Sequence, residues 1–97
     1  MSNETTKVAA VAMHSEMGEP DANLKRVEYW ARKAHAKGAT FVLFTEECIT
    51  GSMNKSNLAT DQIHSIARNA HELAVPFLED LCYELSITLV VGTIEPV

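Results

Sequence analysis

The sequence predicts an α/β fold, a βαβαβ chain on a parallel sheet, from three observations. Short apolar runs at residues 8–13, 41–44 and 87–91 have strand length. Longer segments with helical spacing separate them. The runs barely alternate with polar residues, as expected of parallel strands buried on both faces.

Taken in order, residues 8–13 form the first predicted strand. The helix after it should begin near Pro20 or Asp21, because proline suits a first helical turn and an acidic side chain complements the amino-terminal dipole. Leu24, Val27, Ala31 and Ala34 then make an apolar stripe, and Gly38 supplies a stop. Residues 41–44 form the second strand. The polar run 52–57 reads as a loop, and Asp61 can cap a short helix through Ala70. Pro76 opens a further predicted helix with Leu78, Leu81, Cys82 and Leu85 at helical spacing, and residues 87–91 close as the third strand.

Strands laid down in spatial order and joined by right-handed crossovers carry both helical layers on one side of the sheet. The opposite face is then bare and calls for another layer, either a second sheet or a second copy of the chain. A doubly wound sheet, in which the strand order reverses, is the alternative.

At 97 residues, with 46% hydrophobic and 22% charged side chains, the chain suits one small globular domain with a thin core. A net charge of −5 with eight dispersed basic residues argues against a nucleic-acid surface. No apolar run has the length of a membrane span, and residues 1–7 lack a basic start followed by a hydrophobic secretory core, so a cytoplasmic location is expected. Two cysteines, Cys48 and Cys82, are expected as reduced thiols.

The segment with most chemical content is Phe41-Val42-Leu43-Phe44-Thr45-Glu46-Glu47-Cys48-Ile49-Thr50-Gly51. A buried strand that ends on two carboxylates delivers charge into a loop, where a general base can be held. The segment resembles the first catalytic-glutamate motif of the nitrilase-like carbon-nitrogen hydrolases, in which a hydrophobic strand is followed by Pro-Glu and, five residues later, Gly. Counting back from Gly51 places Glu46 in the catalytic slot and Glu47 beside it. The resemblance runs along the chain through the opening strand, Gly18, Asn23-Leu24, Gly38-Ala39, the closing Leu89-Val90-Val91-Gly92 and Glu95. Thr45 stands where the family usually has Pro, and Ala12 where it usually has Gln.

The resemblance implies a four-layer α-β-β-α sandwich and attack on an amide or nitrile by a Glu-Lys-Cys triad. Residues 1–97 would be a single, incomplete domain, about the first third, supplying the glutamate but not the lysine or the cysteine. It also implies no cofactor and no metal, and a small amide or nitrile substrate, while the bare sheet face predicts a homo-oligomer.

Other residues are weaker candidates. Cys48 adjoins carboxylates, which disfavour the thiolate a nucleophile needs, and Cys82 lies on a core stripe. His64 and His71, seven apart, can share a helix face but lack a third metal ligand. His14, after the first strand, can approach the rim that carries Glu46, because parallel strands end on one side. Lys37 and Lys55 lie nearest the motif in sequence, but neither occupies the position of the family's lysine. The four glycines punctuate element ends and form no phosphate loop.

Overall fold

The structure, a computed structural model, describes residues 7–45, 48–51 and 59–92. Its elements are β1 (Val8–Val11), α1 (Pro20–Ala36), β2 (Phe41–Phe44), α2 (Thr60–Leu85) and β3 (Thr88–Val90). The sheet is parallel throughout, in the order β1-β2-β3. This is the predicted α/β class. The order does not reverse, so the described strands do not form the doubly wound alternative. β1 and β3 are shorter than the apolar runs that contain them.

Register explains which face is covered. Ala9, Val42 and Leu89 align across the sheet, as do Ala10, Leu43 and Val90 one residue further on. Side chains alternate along a strand, so these rows point to opposite faces. The first row, with Val11, Phe44 and Val91, packs against Ala31 and Ala34 of α1 and Ala70, Ala74 and Leu81 of α2. Both helices therefore lie on one face and contact each other. The second row is open: Val8 is 54% exposed, Leu43 37% and Val90 44%. The expectation of strands covered on both faces is met on one face only by the described residues. The bare face matches the consequence of two crossovers of the same hand.

α1 follows the sequence closely. Pro20 takes the first helical position, and Leu24, Val27, Ala31 and Ala34 are all buried. Its end is a Schellman motif: Gly38 N–H donates to the His35 carbonyl (2.9 Å) and Ala39 N–H to the Ala34 carbonyl (3.0 Å). Gly38 has φ +91°, which a glycine adopts without steric penalty.

α2 corrects the sequence reading. The two predicted helices are one, 26 residues long, with Pro76 inside it. Ala59, not Asp61, takes the N-cap position, and its N–H donates to Gln62 Oε1 (2.9 Å). Asp61 instead lies in the first turn, where its charge favours the dipole. An interior proline removes one backbone hydrogen bond and usually breaks a helix. Here Pro76 faces solvent, where water can satisfy the freed carbonyl. The buried stripe of Ala67, Ala70, Ala74 and Leu81 runs past it on the other side, so packing holds the helix through the proline. Pro76→Ala should accordingly stabilise the fold by about 1–2 kcal/mol, the helical gain less the entropy returned to the unfolded chain. A rise in the urea midpoint at unchanged slope is the check.

One ion pair ties the helices at their outer surface. Arg32 donates to both carboxylate oxygens of Glu84 (3.1 Å for the Nη2 bond) and, within α1, to Glu28 (2.9 Å). The bond from Arg32 holds the Glu84 carboxyl below its ordinary value, and the bond to Glu84 raises the guanidinium. Both groups are in solvent, so the pair fixes helix register more than it adds stability.

Candidate functional site

The site is built at the carboxyl ends of β1 and β2, where the loops that lead into α1 and α2 meet. Glu46 and Glu47 lie outside the described residues, as do Lys55 and Glu95. What the structure defines is the chain that precedes and follows the two glutamates in sequence. Thr45 ends the run from β2 and is exposed. The four residues 48–51 are buried, with Cys48, Ile49 and Thr50 fully so.

Backbone bonds pin this buried segment. Ile49 N–H donates to the Gly92 carbonyl just past β3 (3.0 Å), and Gly18 N–H donates to the Thr50 carbonyl (2.8 Å). The Ser15 hydroxyl donates to the Cys48 carbonyl (2.8 Å). Asn23, on the buried side of α1, joins the two loops. Its Nδ2 donates to the carbonyls of Glu16 and Ile49, both at 2.8 Å, and its Oδ1 accepts from Glu16 N–H at 2.7 Å. Both amide hydrogens and one acceptor site are thus used, which makes a fully buried Asn tolerable.

Gly51 completes the clamp. Its φ is +71°, and a Cβ placed there would stand 2.8 Å from Met17 Cα and 3.0 Å from the Glu16 carbonyl oxygen. Neither contact is with a flexible side-chain end, so relief would require backbone movement. The glycine that sets the count to Glu46 in sequence is therefore the point where the two loops touch. Among the described residues, Thr50 Oγ1 has no hydrogen-bond partner.

The first loop adds charge at the same rim. His14 Nε2 lies 3.3 Å from Glu16 Oε1, and Arg26 Nη2 lies 3.5 Å from the same oxygen. Arg26 Nη1 also donates to the His14 carbonyl (2.9 Å). Because Val11 aligns with Phe44, His14 stands beyond the same strand ends as Thr45. Its side chain is 77% exposed.

Of the remaining candidates Cys48 belongs to the frame itself, and the others lie away from it. Cys48 is buried, and that burial raises its thiol pKa, so the wrong protonation state and the lack of access both argue against a nucleophile. Lys37 caps α1 at the opposite end of the sheet, where its carbonyl accepts from Lys7 Nζ (2.7 Å). His64 and His71 both lie on α2, and Cys82 is half-buried there. Among the described residues, no group of three His, Cys, Asp or Glu side chains could hold a metal ion. No described helix is long and apolar enough to cross a membrane.

Sequence reasoning placed Asn23 only at the entry to the first helix and missed its role as a clamp. A signal was present: Asn23 lies four residues before Val27, on the stripe that continues to Ala31 and Ala34, where a polar residue needs buried partners. Ser15 and Gly92 carried no comparable signal. No protein-family model and no curated protein matches this chain.

Proposed function

We propose that the chain is the amino-terminal portion of a nitrilase-like carbon-nitrogen hydrolase acting on a small amide or nitrile, and that Glu46 is its general base. The observation that carries this reading is the clamp. Residues 48–51, directly after the two glutamates, are buried and bonded to the first loop, to Asn23 and to Gly92. A catalytic base needs a fixed backbone, and this frame supplies one on the side that follows it.

In the proposed reaction, Glu46 takes the thiol proton of a cysteine nucleophile and later activates the water that releases the acyl group. A lysine stabilises the developing oxyanion. Both partners come from residues beyond Val97, and Cys48 takes no part. The proposal gives His14, which is exposed at the same rim, a substrate-side contact. The reading requires no cofactor, and it puts the enzyme in the cytoplasm. The bare sheet face would be covered by the second sheet of an α-β-β-α sandwich.

The coding sequence past Val97 tests the proposal. A strand carrying Lys and then a Cys at a strand end are expected there. Residues 1–97 alone should show no turnover of simple amides, because the covalent route needs a nucleophile this portion lacks. Activity of the purified chain that vanished on Glu46→Gln would contradict that expectation.

The open face also favours a second reading, in which the same scaffold is a non-catalytic module that associates through Val8, Leu43 and Val90. On either reading residues 1–97 should self-associate, since apolar surface of this kind is rarely left to solvent. Sedimentation should show oligomers that bind a hydrophobic dye less than the dissociated chain does. A compact monomer without dye binding would rule out an apolar open face in solution.

A further inference from the structure

The free edge of β1 faces a groove whose other wall is a single face of α1. Residues 9–11 of the strand line one side, and Trp30, Lys33, Ala34 and Lys37 line the other. The spacing from 30 to 37 is that of neighbours on one helical face. Among the described residues β1 is an edge strand, and its outward backbone groups are left unpaired by the sheet. The groove therefore offers a hydrogen-bonding ladder, an aromatic wall and two cationic side chains together.

Charge selects the occupant. The chain is acidic overall, at −5. Yet Lys33 and Lys37 line this groove, and Lys7 stands at its end, bonded through Nζ to the Lys37 carbonyl. The ion pairs made by α1 among the described residues are Arg26 with Glu16 and Arg32 with Glu28 and Glu84, and none reaches these lysines. Lys33 instead rests against Trp30, its Nζ 5.2 Å from the ring centroid, and against Tyr29 at 5.8 Å. Two copies joined edge to edge at β1 would bring like charges together, so self-pairing is disfavoured.

We propose that the β1 edge is a docking site for an extended acidic peptide segment of another protein, which adds to the sheet as a fourth strand. Its backbone pairs with β1. Alternate side chains pass over Trp30 and Ala34, and its carboxylates meet Lys33, Lys37 and Lys7. Neither His14 nor Thr45 of the rim lines this groove.

Trp30 is the chain's only tryptophan and reports directly on the groove. Its fluorescence is to be titrated with a synthetic peptide of alternating Val and Glu, its Lys counterpart, the Glu peptide N-methylated at alternate residues, and a single-stranded oligonucleotide. The acidic peptide should produce a saturable change, with the Lys and N-methylated peptides at least about tenfold weaker. Lys33→Glu/Lys37→Glu should reverse the preference between acidic and basic peptides. Amide shift perturbations in the unsubstituted chain, confined to β1 and the 30–37 face of α1, give the same answer without a variant. No response to any peptide would show that the lysines only guard the edge and would overturn the proposal. So would equal binding of the N-methylated peptide, stronger binding of the oligonucleotide, or a Trp30 signal that follows self-association.

Discussion

Asn23→Ala should lower folding stability by about 3 kcal/mol, a large share of what a domain of this size possesses. Glu16 N–H and the Ile49 carbonyl lose their partner at once, and the Glu16 carbonyl keeps only the longer bond from Glu19 N–H (3.3 Å). The two on Glu16 are half-buried and can be rehydrated in part. The Ile49 bond is fully buried, and its carbonyl has no such recourse. Asn23→Asp separates hydrogen bonding from size. The carboxylate keeps an acceptor for Glu16 N–H but turns negative charge toward two carbonyl oxygens. Burial and those oxygens should raise its pKa in the folded state above the unfolded value near 3.9. The sign follows: the variant should be more stable below that value and lose stability as pH rises through the folded pKa. Urea unfolding at two pH values is the check. An Asn23→Ala variant within about 0.5 kcal/mol of the original would show that the clamp contributes nothing.

Most of the architecture was legible because it rests on local pattern. Leu24, Val27, Ala31 and Ala34 announced the buried side of α1, Pro20 its start and Gly38 its end. The bare face followed from chain handedness and the two-sided apolarity of residues 8–13, 41–44 and 87–91. α2 was misread because Pro76 carries a start signal that acts only when the preceding turn is free. In the folded chain the buried residues Ala70, Ala74 and Leu81 hold that turn helical, and the ring points to solvent. The clamp was illegible for a different reason. Bonds from Ser15, Gly18 and Asn23 to carbonyls at residues 48–50 pair side chains and amides far apart in sequence, and such pairs leave no periodicity. Of the motif itself, Gly51 was legible as a turn glycine, but its contact with Met17 was not.

On the proposed reading, in which the domain extends past Val97, the second large effect concerns Glu46. In sequence the end of β2 and the pinned residues 48–51 bracket the two glutamates, and the proposal takes their register relative to Gly51 as what assigns the base to Glu46. Glu46→Gln keeps the size and much of the hydrogen bonding but removes proton acceptance. Turnover of an amide should fall by about a hundredfold or more, the scale of general-base loss. The loss should appear in kcat rather than in KM, because the substrate still binds. Glu47→Gln should cost far less, and both variants should unfold at the denaturant concentration of the parent. Measuring kcat for the two single substitutions side by side tests the central claim most directly. A loss confined to Glu46→Gln is the predicted result. Equal losses, or a larger loss at Glu47→Gln, would contradict the assignment of Glu46 as the base.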